Sequence, residues 1–79
     1  MTLPNDPAFR EPKGDHNRRI ALGLDIDAFA VEAGVTPEAL HTYEATGPDG
    51  DFDIYIAQLV GEALERLEAN PPASQKVIT

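Results

Sequence analysis

Cysteine is missing from all 79 residues, and bases are scarce: 6 Lys and Arg stand against 14 Asp and Glu, for a formal charge of −8. Without thiols there is neither a disulfide scaffold nor a thiolate metal site. Long apolar runs are also lacking. Stretches such as Ile54 to Ala57 fall far short of the roughly 20 residues that a membrane-spanning helix needs, so the chain is expected to be soluble and to need no membrane. The start, Met1-Thr-Leu-Pro-Asn-Asp-Pro, has neither the basic opening nor the apolar stretch of a secretory signal, which makes the cytoplasm the expected compartment. The surplus of acids opposes generic attraction to nucleic acid or anionic lipid. A chain this short supports one small core. No repeat, low-complexity tract or strand-like alternation is present.

Charge and proline divide the chain. Residues 1 to 19 carry Arg10, Lys13, Arg18 and Arg19 against Asp6, Glu11 and Asp15, a net of +1, whereas residues 20 to 70 carry eleven acids and one base, Arg66. Pro4, Pro7 and Pro12, with Gly14, oppose a regular helix at the start, because each proline removes a donor and restricts its predecessor. Asn70-Pro71-Pro72 stops whatever precedes it. The expected organisation is a flexible basic arm over 1–15, a folded domain over 16–70 and a flexible tail over 71–79.

Within the domain the apolar spacing is helical. Asn17 to Leu22 predicts a brief helix around Ile20. Ile26, Phe29, Ala30 and Ala33 fall at i, i+3, i+4 and i+7 behind Asp25, whose carboxylate can cap a first turn. Thr36 followed by Pro37 is a second start signal, a capping hydroxyl with proline at the first helical position. That helix should bury Leu40 and Tyr43 and stop near Gly47-Pro48-Asp49-Gly50. A last helix, Phe52 to Ala69, repeats Phe52, Ile56, Leu59, Ala63 and Leu67, with Val60 and Leu64 widening the stripe. The expectation is an all-α bundle of four to five helices.

The most informative feature is the joint between the second and third helices. Ala30 is small where the two would cross. Gly34 suits a turn position that requires φ > 0. Val35, Leu40 and Tyr43 then anchor the second partner against the first.

On these residues, namely Arg19-Ile-Ala-Leu-Gly23-Leu24-Asp25, Phe29-Ala30, Gly34-Val35-Thr36 and Leu40-His-Thr-Tyr43-Glu44, the chain resembles the XRE family, the Cro and phage-repressor type of helix-turn-helix. The resemblance spans about residues 19 to 67. It implies a lambda-repressor-like bundle, usually dimeric, that regulates transcription by placing the second helix of the motif in the major groove of double-stranded DNA. By position the groove-facing residues would be Thr36, Pro37, Glu38, His41, Thr42 and Ala45, with Tyr43 in the core and Glu44 structural. The departures are a first helix shortened by Pro12 and Gly14, and a reading helix without lysine or arginine. Any phosphate contact would therefore fall to Arg10, Lys13, Arg18 and Arg19 of the arm.

Other chemistry is poorly supported. Asp49-Gly-Asp51-Phe-Asp53 opens like a calcium loop, but Ile54 stands where such a loop needs glycine and Val60 where it needs glutamate; capping of the last helix explains the acids better. Glu38 and His41 have half-site metal spacing without the second half. His16 has no evident partner, and Ser74 no histidine beside it. Glu62 and Arg66 are spaced for an i, i+4 pair on a wet face. No cofactor, metal, small-molecule substrate or catalytic role is implied. Two readings follow: a DNA-binding regulator acting as a homodimer, or an acidic helix-turn-helix that serves as a protein-interaction module, antitoxin-like, an anti-repressor or a cofactor of a regulator, and binds no DNA itself.

Overall fold

The structure, a computed structural model that describes residues 10–71, builds four helices: α1 (Pro12–Ala21), α2 (Ile26–Ala33), α3 (Pro37–Glu44) and α4 (Ile54–Ala69). No strand forms among the described residues. Residues 1–9 of the expected arm and 72–79 of the expected tail lie outside them.

The first helix corrects the sequence reading. It runs for ten residues from Pro12, because proline occupies the first turn, where its missing N–H costs nothing. The Asp15 amide reaches the Glu11 carbonyl at 2.9 Å, closing an α-turn directly around Gly14. Asp15 near the start and Arg18 and Arg19 in the last turn also complement the helix dipole. Residues 12–15 therefore belong to the folded body and not to an arm. The inward face of α1 is Pro12, Asp15 and Arg19, while Ile20, the expected apolar centre, is 54% exposed.

The joint between α2 and α3 follows the expected chemistry. The Asp25 carboxylate accepts the Ala28 amide at 2.8 Å and the Thr36 hydroxyl accepts the Ala39 amide at 3.0 Å, so both helices are capped by the residues whose types suggested it. Gly34 ends α2 with φ of 77°, the left-handed conformation that a Cβ opposes. Ala30 is buried between the two helices, and Leu40 and Tyr43 are buried on α3.

The last helix starts at Ile54, two residues later than expected, because Asp53 caps it by accepting the Tyr55 amide at 2.8 Å. Its buried face is also rotated. Ala57, Val60, Ala63, Leu64 and Leu67 are buried, whereas Phe52, Ile56 and Leu59 are only half-buried at its edge. Helix α4 packs against all three other helices, and Phe29, Leu40, Val60 and Leu64 meet where they converge. Full burial of each such side chain contributes about 1.5–3 kcal/mol relative to exposure.

Candidate functional site

Helix α3 presents the face that the sequence singled out. Glu38, His41, Thr42 and Ala45 are all exposed. Pro37 starts the helix and Thr36 caps it, so the Thr36 hydroxyl is already engaged with the chain's own backbone. Tyr43 turns inward and Glu44 is largely covered, as their assignment to core and structure requires.

The arginines are arranged differently from the expectation. Arg10 was expected on a basic arm but places Nη2 2.6 Å and Nε 3.2 Å from the Asp15 carboxylate. Its guanidinium lies over α4 at Gly61, where a Cβ would come within 3.1 Å of Cζ. That close approach explains a glycine in a helix interior, where it costs about 1 kcal/mol against alanine. Arg18 forks onto Glu68 at 2.8 and 2.7 Å. Arg19 is 4% exposed and clamps Glu44 at 2.8 and 2.9 Å, with a further bond of 2.7 Å to the Leu24 carbonyl. Arg10, Arg18 and Arg19 are thus each paired with a carboxylate of the fold, Arg10 and Arg19 in covered sites and Arg18 at the surface. Of the four expected phosphate contacts only Lys13 is exposed and outside every ion pair of the described residues.

These contacts form two charged clusters that attach α1 to its neighbours. In one, Asp15 receives Arg10 from one side and the Tyr43 hydroxyl of α3, at 2.5 Å, from the other. In the second, Glu44 receives Arg19 and His16. The 2.7 Å approach of His16 Nδ1 to Glu44 Oε1 makes Nδ1–H the donor, so the 3.3 Å distance from Nδ1 to Arg19 Nη2 is proximity alone. His16 therefore has a partner, 28 residues away, that spacing could not reveal. No buried side-chain nitrogen or oxygen of the described residues is left without a hydrogen bond. The expected Glu62–Arg66 pair does not form: Arg66 reaches across to Glu32, with 3.1 Å to the carboxylate and 2.8 Å to the carbonyl, and Glu62 accepts from Gln58.

The clusters shift protonation. Burial would raise the Glu44 carboxyl, but the hydrogen bonds and charges of Arg19 and His16 outweigh it and hold it below its usual 4.5. Burial, then the bond to Asp15, pushes the Tyr43 phenol well above its usual 10.0. A lowered carboxylate contributes stability that is complete above its unfolded value and is lost as pH falls through the folded one; a raised phenol contributes stability that is lost as pH rises past 10.0. The urea midpoint should therefore be flat from about pH 6 to 9 and fall on both sides, with a smaller acid limb in Glu44→Gln than in the parent chain. An acid limb of equal size in the variant would refute the assignment to Glu44.

Beside the α3 face lies an open groove of about 310 Å³ between α3, the α3–α4 loop and the first turn of α4. Ala39, Thr42, Tyr43, Phe52 and Ile56 supply its apolar lining, and Tyr43 and Phe52 meet edge to face with ring centroids 5.4 Å apart. Its charged lining is Glu38, Asp51 and Asp53, with no base. Sequence reasoning missed this groove, since its walls are residues assigned to reading helix, core and cap. Phe52 gave no signal of it, because its spacing placed it inside the last helix, whereas the structure leaves it before α4. Among the described residues no group of three or more histidines or acids is arranged to hold a metal, and no helix is long and apolar enough to cross a membrane. No family model, curated protein or solved structure matches the chain.

Proposed function

We propose that this chain is an acidic helix-turn-helix module that binds a protein through its α3 side and does not read DNA. The observation that carries the reading is the arginine placement: Arg10, Arg18 and Arg19 are each committed to a carboxylate of the same fold. Affinity for duplex DNA comes largely from free Lys and Arg that neutralise phosphates. Extracting Arg10 or Arg19 would break covered contacts around α1, whereas Arg18 sits in an exposed pair that is worth little. Among the lysines and arginines of the described residues, Lys13 alone is left outside an ion pair to contact a phosphate, and Glu38 on the exposed face of α3 opposes the approach of others. The module needs no catalytic group, and the cytoplasm is the compartment in which it would meet such a partner.

A second reading is favoured by shape. A capped α2, a left-handed glycine and a capped α3 with exposed Glu38, His41 and Thr42 support an XRE-type transcription regulator that binds DNA as a homodimer. A binding selection from random duplexes at about 50 mM salt, using the full chain, separates the two. The expected result is no enriched duplex. Recovery of a duplex whose retention collapses by about 200 mM salt would overturn the protein-binding reading.

A further inference from the structure

From the groove between α3 and the start of α4 we infer what kind of partner is taken: a basic segment of a second protein that inserts one bulky apolar side chain between Thr42, Phe52 and Ile56. The inference rests on the protein-binding reading and gives that reading a location and a chemistry.

Two independent properties of the groove define the occupant. The first is its floor. Tyr43 is buried beneath it, whereas Phe52 and Ile56 remain half-exposed although they pack against the core, so apolar surface is left open to a ligand. A volume of about 310 Å³ accommodates one large side chain together with part of its backbone, at the lower end of ordinary ligand sites. Burial of such an anchor in a pocket is the usual source of affinity in a small interface.

The second property is the rim. Glu38 and Asp51 line the groove and Asp49 stands in the same loop, and none of the three has an ion-pair partner among the described residues. Asp15, Glu32, Glu44 and Glu68 are all neutralised by arginines of the fold. Glu11, Asp25, Asp27, Glu62 and Glu65 are, like the rim acids, outside every ion pair of the described residues. Around the groove, however, the unpaired acids flank an apolar floor with no base in the lining, and there they select lysine and arginine beside the anchor and speed their encounter. The same rim disfavours a second copy of this chain, which also carries −8.

The test is a panning of a random twelve-residue peptide library against the immobilised full chain, followed by amide chemical-shift mapping with the enriched peptides. Enriched sequences should carry Leu, Phe or Trp within two residues of Lys or Arg, and should shift Ala39, Thr42, Phe52 and Ile56. Affinity should fall about tenfold in the doubly neutralised Glu38→Gln/Asp51→Asn variant, and comparably when salt is raised from about 50 to 300 mM. Both substitutions are at exposed positions that cap no helix, so an unchanged helical spectrum confirms that only the rim was altered. Basic peptides that shift a different face would overturn the groove assignment while leaving protein binding intact. Enrichment without basic residues would overturn the partner's chemistry. Absence of any enriched peptide, together with retention of duplex DNA, would overturn the groove and the protein-binding reading together. Shifts of the same amides on raising the concentration of the chain alone would assign the groove to a second copy and overturn the proposal.

Discussion

Arg19→Met should cost about 3–5 kcal/mol of stability, enough to leave a domain of this size mostly unfolded at room temperature. The reason is not that an ion pair is worth so much. Arg19 is 4% exposed, and it supplies two of the three hydrogen bonds that Glu44 receives as well as one to the Leu24 carbonyl. Truncation leaves a carboxylate in a nearly dry site with His16 as its one remaining donor, and leaves a carbonyl unsatisfied. The second variant makes the origin of the loss measurable. Arg19→Met combined with Glu44→Leu removes both charges and should recover most of the loss, because a well-packed apolar pair often equals or exceeds a buried ion pair. Circular dichroism without denaturant reads the folded fraction of the single variant, and urea denaturation reads the recovery in the double one. A loss below about 1 kcal/mol in the single variant would mean that Glu44 is hydrated and that the cluster behaves as a surface pair.

The same residues show why the sequence was legible in one half of the domain and opaque in the other. The joint of α2 and α3 could be read because each of its devices has a local cause: a carboxylate at Asp25, a hydroxyl before proline at Thr36, a glycine at the left-handed position 34, and apolar residues at helical spacing. Helix α1 lacks that signature. Its inward face is Pro12, Asp15 and Arg19, so a search for hydrophobic period sees only a brief helix around Ile20 where polar contacts supply the packing of a longer one. Pro12 was read as a breaker because the signal that it starts a helix, Asp15 then Arg18 and Arg19 aligned with the dipole, is electrostatic and not apolar. The arginines could be counted in sequence, but their partners could not be assigned. Glu44, Glu68 and Glu32 lie 25, 50 and 34 residues from Arg19, Arg18 and Arg66, and only the fold determines which acid meets which base. A groove lined by one half-buried residue from before α4 and one from its first turn is a tertiary product as well. Its acids, by contrast, were legible, and their role as caps holds for Asp53.

Asp15 is where stability and function are most tightly joined, and Asp15→Ala should match or exceed the cost of Arg19→Met, at about 3–5 kcal/mol. Its carboxylate is 4% exposed and receives Arg10 and the Tyr43 hydroxyl, so one truncation strands a guanidinium over Gly61 and a phenol in the core. Tyr43→Phe removes a single neutral donor, keeps Arg10 paired and should cost only about 1–2 kcal/mol. A graded result, small for Tyr43→Phe, intermediate for Asp15→Asn and large for Asp15→Ala, identifies the Arg10 charge as the dominant partner. Equal losses in Tyr43→Phe and Asp15→Ala would instead assign the site to the phenol. The consequence for function is directional. A variant that loses Asp15 but is refolded at high osmolyte frees Arg10, the base that the native fold holds against α4, and should bind duplex DNA more tightly than the parent chain at low salt. No gain in DNA retention by that refolded variant would mean that the pairing of Arg10 with Asp15 does not limit DNA binding by this chain.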